Sequence, residues 1–287
     1  MYSTQLAIQA ATKTAVSYGI TPDRCDILQN SSTLVVRLTD TLVARVVQDT
    51  DGPRQGTEWF ARENLIAQHL TRHSAPVIPL HPGLPPGPHF HLGYPMNFWE
   101  FVTVTNTTPN PAEIGSVLYH CHRIMRTFEA PLPSLGILQE SLTILQNREL
   151  FTRTTQQMLI AHLLTSLPAL SATHHQSLHG DAHMGNLLNT TRGLLLTDWE
   201  DTFSGPVEWD LASLLWNAHI LEDDQHTVHE ILSAYETAGG SFSPKLLDAC
   251  YIARGAVMTA WYPILYPNPN AERQSKLERR IEWLSAR

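Results

Sequence analysis

Cysteine is scarce. The 287-residue chain holds three, Cys25, Cys121 and Cys250, far apart and with no CxxC pair. That excludes a disulfide framework and a thiolate zinc site, and it points to a reducing compartment, most simply the cytoplasm. Positive charge is scarce too: 19 Lys and Arg stand against 27 Asp and Glu, for a net charge of −8. A nucleic-acid binder ordinarily carries a basic surplus or stripe, so no such partner is expected. No apolar run approaches the ~18–20 residues of a membrane span. The opening MYSTQLAIQAATKTAVSY lacks the basic start and continuous apolar stretch of a secretion signal, so neither membrane nor export is expected. What is present is apolar material, 43% of the residues. A chain of this length and composition buries a real core, as one large domain or two modest ones.

The pattern along the chain supports two. Residues 4–18 read as a helix, ended by Gly19 and Pro22. Two β-rich runs follow, Thr33–Leu38 and Leu42–Val47, joined by Thr39-Asp40-Thr41 in a hairpin pattern. Thr57 to Arg72 reads as a helix after the turn-rich Asp51-Gly52-Pro53. Prolines at 76, 79, 82, 85, 86 and 88 then exclude regular helix. A second hairpin is predicted from His89–Leu92 through Gly93 into Met96–Val102. The order helix, two strands, helix, two strands describes a small α+β unit. Beyond Thr103 helical patterns dominate, starting at Asn110-Pro111-Ala112-Glu113, where Asn caps and Pro takes the first helical position. One β-like island, Leu187–Asp198 around Arg192-Gly193, interrupts them. The expected boundary lies near residue 103, dividing the chain into 1–103 and 104–287.

Periodicity also predicts a buried charge pair. On the 57–72 helix, Trp59, Glu63, Ile66 and Leu70 share one face, which puts an acid in an apolar stripe. On the strand, Val43, Arg45 and Val47 share a face, which makes Arg45 a lone cation among valines. A buried charge needs a partner, and the economical answer is that these two meet. The alternative is that each snorkels to water at an element's edge.

Chemistry concentrates in Leu178-His179-Gly180-Asp181-Ala182-His183-Met184-Gly185-Asn186-Leu187-Leu188 and, shortly after, Leu194-Leu195-Leu196-Thr197-Asp198-Trp199-Glu200-Asp201. Two glycines and a histidine pair suit a tight, irregular loop, and three leucines deliver an acid to a strand end. Asp181, Asn186 and Asp198 offer hard oxygen ligands, which suit Mg²⁺ better than zinc. The plain alternative is a capped turn with a solvated acid.

His179-x-Asp181-x-x-x-x-Asn186 followed by Asp198-Trp199-Glu200 resembles the catalytic and metal-binding signature of the aminoglycoside phosphotransferase and choline kinase family, whose fold is similar to that of protein kinases. His183, Gly185, Gly205-Pro206 and Asp210-Leu211-Ala212 extend the match over about residues 178–213. The resemblance implies an α+β, two-lobed, protein-kinase-like fold. The small β-rich lobe 1–103 would bind nucleotide, and the helical lobe 104–287 would carry catalysis and the substrate. It implies ATP and Mg²⁺, with transfer of the γ-phosphoryl group to a hydroxyl of a small molecule. Residue by residue, Asp181 would orient or deprotonate the attacking hydroxyl, and Asn186 and Asp198 would hold Mg²⁺. Arg45, paired to Glu63, would hold the nucleotide phosphates. His179, placed with the catalytic residues, would brace the loop, and Asp210 would anchor it. Adenine would lie against backbone near Glu100–Val102.

One departure concerns the loop between the first two strands, which reads Gln29-Asn30-Ser31-Ser32 with no glycine. Ser31 and Ser32 would donate hydrogen bonds to phosphate, unless the segment is a plain hairpin turn. Phe98, Trp99 and Phe101 read as core rather than as base-stacking groups. For the acceptor, Glu200, Asp201, Glu222, Asp223 and Asp224, with Trp216, Trp261 and Tyr262, would suit a cationic, hydroxyl-bearing compound. Aminoglycosides, other antibiotics, choline-like amines, sugars and amino-acid alcohols stay open. Two rivals remain: a metal-dependent hydrolase built on His179, Asp181 and His183, and a non-catalytic nucleotide-binding protein on a kinase scaffold.

Overall fold

Ala7, Ala10, Ala11 and Ala15 recur at helical spacing in α1 (Thr4–Ser17) and are fully buried. Their small side chains let the helix lie close to a sheet. That sheet has five antiparallel strands: β1 (Asp26–Asn30), β2 (Thr33–Arg37), β3 (Leu42–Val47), β4 (His89–His91) and β5 (Tyr94–Glu100), in the order β1-β2-β3-β5-β4. The two-residue period sends Leu34, Val36, Leu42, Ala44, Val46, Met96 and Phe98 into one core with the α1 alanines. Val43, Arg45 and Asn97 take the opposite face, with Arg45 registered against Asn97. There α2 (Glu58–Arg72) buries Phe60, Glu63, Asn64, Ile66, Ala67 and Leu70. The computed structural model from which this description is drawn covers residues 4–31, 33–48 and 57–287. The turn expected at Asp51-Gly52-Pro53 lies outside the described residues.

Two differences from the sequence reading concern these strands. β1 adds a strand before the expected hairpin. All five of its residues are exposed, so it carries no alternation to read. The β4–β5 hairpin is tighter than predicted, turning at Leu92 (φ 51°) and Gly93 (φ 85°). Two successive positive φ values are what a two-residue hairpin turn needs, and glycine adopts one of them without strain.

The strands β6 (Leu187–Thr190) and β7 (Gly193–Leu196) form the predicted β island. Thr191 N–H donates to Thr103 O (3.0 Å), and Leu196 N–H donates to Pro76 O (2.9 Å). Residues 188–200 therefore group with Met1–Thr108 as one compact unit. This corrects the cut at residue 103: the break follows Thr108, and a later stretch returns to complete the first unit.

The second unit is Pro109–Leu187 with Asp201–Arg287. Its helices are α3 (Pro111–Met125), α4 (Gly136–Asn147), α5 (Arg153–Ser171), α6 (Glu208–Trp216), α7 (Gln225–Thr237), α8 (Pro244–Leu265) and α9 (Ala271–Ser285). α3 begins as its sequence dictates, the Asn110 side chain accepting from Ala112 N–H (2.9 Å) with Pro111 at the first position. α3 packs on α7, and α5 and α6 both pack on α8. No helix among the described residues is long and apolar enough to cross a membrane.

Candidate active site

In the second unit the loop from Leu178 to Asn186 is held by hydrogen bonds to many of its backbone groups. Leu178 N–H donates to Phe203 O (2.9 Å). His179 N–H and Gly180 N–H donate to the two oxygens of Asp210, at 2.8 and 2.9 Å. Trp209 Nε1 donates to Gly180 O (2.7 Å), and Asp181 N–H donates to His179 Nδ1 (3.2 Å). Gly180 sits at φ 88°, and a Cβ there would stand 2.1 Å from Asp201 O, so only glycine fits. His183 N–H and Asn186 Nδ2 both donate to Asp181 O, at 2.8 and 2.9 Å. The Asn186 bond fixes which end of that amide is its oxygen.

The anchor is itself buried. Asp210 on α6 and His122 on α3 are 0% and 1% exposed. His122 Nε2 lies 3.0 Å from Asp210 Oδ2, and its Nδ1 lies 2.9 Å from the Tyr235 hydroxyl on α7. Burial alone would push the Asp210 carboxyl up, but His122 and the backbone donors hold it below its ordinary 3.8. Burial pushes the Tyr235 phenol up, which keeps it a hydroxyl. His179 is fully buried and braces the loop by accepting from Asp181 N–H at its Nδ1.

Asp181 itself is held from outside the loop. Arg254, midway along α8, bonds Asp181 Oδ1 through Nη2. Asp181 Oδ2 lies 3.5 Å from His183 Nε2. Arg254 is a residue the sequence reading missed: it sits in the buried middle of a largely apolar helix, 73 positions from its partner.

In the first unit the predicted pair forms. Arg45 Nη1 donates to both Glu63 oxygens, at 3.0 and 3.1 Å. Nη2 lies 2.9 Å from Asp198 Oδ1 and also bonds Glu200 Oε2. One guanidinium thus faces three carboxylates. Burial works against the charge of Arg45, but Asp198, Glu200 and Glu63 raise its pKa well above the ordinary value. Burial, aided by the Asp198 charge, pushes Glu63 up to about 7 against the pull of Arg45. Asn97 Nδ2 lies 3.4 Å from Glu63 Oε2.

Several expectations need correction. Trp59 lies at the margin of the α2 apolar face, whose inner positions are Phe60 and Asn64. Glu200, expected to meet a cationic acceptor, is committed to Arg45. Trp216, expected at the acceptor, is 1% exposed and packs edge-on to Trp283 (5.1 Å between centroids) in the core. Gln29 and Asn30 belong to β1 rather than to a loop. Ser31 N–H is used by Thr33 O (3.0 Å), which favours the plain turn over phosphate binding. Ser32 lies outside the described residues. Glu100 pairs with Arg192 (2.8 Å), while Val102 is buried with no backbone hydrogen bond among the described residues.

The donors present fit a hard dication. Asp198 Oδ1 is buried and has no hydrogen bond despite its closeness to Arg45. The carboxylates around Arg45 leave an excess of negative charge, which a hard dication would offset. For the hydrolase reading, no group of three His, Cys, Asp or Glu side chains suited to a metal ion occurs among the described residues.

A β-rich unit and a helical unit bearing these constellations define an α+β, kinase-like protein. The chain belongs to the phosphotransferase enzyme family (APH), whose sequence model matches residues 24–245. Among curated proteins no sequence relative is found. Among solved structures, the fold is similar to that of amicoumacin kinase hAmiN in complex with AMP-PNP, Ca²⁺ and Ami, at 13% identity and TM-score 0.75, covering 99% of this chain and 94% of that one. It is also similar to choline kinase LicA from Streptococcus pneumoniae, at 15% identity and TM-score 0.67, with 96% and 98% covered. Spectinomycin phosphotransferase APH(9)-Ia, in complex with ADP and spectinomycin, matches at 14% identity and TM-score 0.60, with 96% and 93% covered.

Proposed function

We propose that the protein is an ATP- and Mg²⁺-dependent kinase of the cytoplasm that moves the γ-phosphoryl group to a hydroxyl of a small molecule. The observation that carries this reading is Asp181, a carboxylate fixed at both its backbone and its side chain inside the family's signature loop. In the reaction the acceptor oxygen bonds the γ-phosphorus, the bond from that phosphorus to the β–γ bridging oxygen breaks, and the hydroxyl proton passes to Asp181. Arg45, held by Glu63, offers the nucleotide phosphates a fixed positive charge. Asp198 and Asn186 would each supply an oxygen to Mg²⁺, which would neutralise charge on the phosphates. Val102, with Glu100 beside it, would present backbone to adenine. His179 and Asp210 position the loop. The nucleotide-binding role then belongs to the first unit, and the catalytic and acceptor roles to the second.

The acceptor class follows the neighbours only as a panel to test: an amicoumacin-like antibiotic, choline, spectinomycin, aminoglycosides, sugars and amino alcohols. Coupled ADP release with Mg·ATP across this panel should show turnover on at least one compound. Asp181→Asn should lower that turnover by about 10²–10⁴. Its Mg·ATP affinity should stay close to that of the unaltered protein. A variant within tenfold of full activity would overturn the assignment.

A further inference from the structure

Arg254 lies on a helix face where charge has no ordinary reason to be. Its neighbours Cys250, Tyr251, Ala253, Gly255, Ala256 and Val257 are all buried, and Arg254 is itself 5% exposed. A guanidinium so placed needs compensation. Among the described residues its one ion-pair partner is Asp181, through Nη2 to Oδ1. The ring of Trp209 stands 5.8 Å from the guanidinium carbon, and Trp209 Nε1 in turn holds Gly180 O. Arg254 Nε is buried and makes no hydrogen bond. The group is therefore kept in the core for one contact, at the expense of an unsatisfied donor.

That contact divides the labour of the Asp181 carboxylate. Oδ1 is occupied by Arg254, whereas Oδ2, with His183 Nε2 3.5 Å away, carries no hydrogen bond among the described residues. We infer that Arg254 is a positioning residue that locks the Asp181 side chain so that Oδ2 receives the acceptor proton. This inference rests on the proposed phosphotransferase reading. Without the lock the carboxylate rotates about its own χ angles, and misplacement of a reacting group by about 1 Å costs on the order of 10²-fold in rate.

The test uses the full chain and ADP release from Mg·ATP with water as the acceptor. Arg254→Met keeps the length of the stem and removes the charge. Arg254→Ala leaves space for a soluble guanidinium ion. Arg254→Met is expected to lower kcat about 10- to 100-fold with the KM for ATP within about twofold, because the loss falls on orientation and not on nucleotide binding. Millimolar ethylguanidinium should restore several-fold activity to Arg254→Ala and none to Arg254→Ala/Asp181→Asn. Arg254→Lys, which keeps a cation but loses the planar fork, should fall between the two. Full kcat in Arg254→Met, or a matching rise in KM, overturns the inference, as does a failure of both Arg254→Met and Arg254→Lys to fold. The two readings separate at Asp181→Asn. If that variant releases ADP at the full rate, the function reading fails; if it is inactive while Arg254→Met is not, only the positioning role fails.

Discussion

Removing the Arg45 guanidinium and removing the Glu63 carboxylate should have very unequal effects, and the inequality follows from how the charges are shared. Arg45 serves Glu63, Asp198 and Glu200 together. Arg45→Met takes one cation away from three carboxylates, one of them, Glu63, with a side chain only 2% exposed. Breaking a buried ion pair by deleting one partner costs about 3–5 kcal/mol, and that range applies here. Glu63→Gln leaves Arg45 with two counter-ions, and the amide oxygen still accepts from the guanidinium. Because burial already pushes Glu63 up to about 7, its charge is held at a disadvantage near neutrality. The Gln variant should lose less than about 1 kcal/mol, the size of one net hydrogen bond. The double variant should then be more stable than Arg45→Met alone, since one stranded acid is gone. Urea unfolding followed by tryptophan fluorescence reads this directly, because Trp59, Trp99 and Trp199 lie in the same unit. The pH dependence supplies a second check. A carboxyl with a raised folded pKa binds more protons folded than unfolded between 4.5 and about 7, so stability falls as pH rises through that window. Glu63→Gln should remove that slope. A double variant equal to the sum of its singles, or a Glu63→Gln loss as large as that of Arg45→Met, would refute the shared-charge argument.

Asp198→Ala should abolish Mg²⁺-dependent ATP binding in calorimetry while leaving the metal-free protein folded, and unchanged Mg·ATP affinity would remove Asp198 from the ligand set. Asp210→Asn should cost about 1–3 kcal/mol for each backbone or ring donor it leaves unsatisfied. The Asp210 carboxyl is depressed in the fold, so its contribution is present above pH 3.8 and is lost as pH falls below it. The Asn variant should accordingly show a flatter acid limb in urea midpoints. Gly180→Ala, with φ 88° and Asp201 O in the way, should lose about 1–3 kcal/mol and most activity; a fully active, equally stable Ala variant would show that the loop relaxes freely.

Much of this was legible where the signal is local. The Asn110-Pro111 start of α3, the β2–β3 hairpin, α2 and the β6–β7 island follow from caps and periodicity spanning a few residues. Arg45 and Glu63 were legible as misplaced charges because each violates the apolar pattern of its own element, and the family resemblance joined them as a pair. The fully exposed β1 shows no alternation, so only its ladder with β2 reveals it. Arg254 breaks its helix's pattern in the same way as Arg45, but its partner lies in a loop far upstream, and periodicity carries no information about that distance. Trp216 and Glu200 misled for the converse reason. An aromatic and an acid near a signature suggest a ligand, whereas the helix packing of one and the strand cation facing the other decided their places.

The route of the chain has a consequence for how the protein comes into being. Residues 1–108 leave the ribosome first, yet the unit they begin is closed by residues 188–200. Until all of 109–187 has emerged, Val77 lacks its bridge to Leu196, and Arg45 has Glu63 but neither Asp198 nor Glu200. A fragment ending at Thr108 would therefore leave Val77 and Arg45 without partners that arrive later. The unit whose residues are made first is the one finished late, and the guanidinium at its centre waits through most of synthesis for two of its three counter-ions.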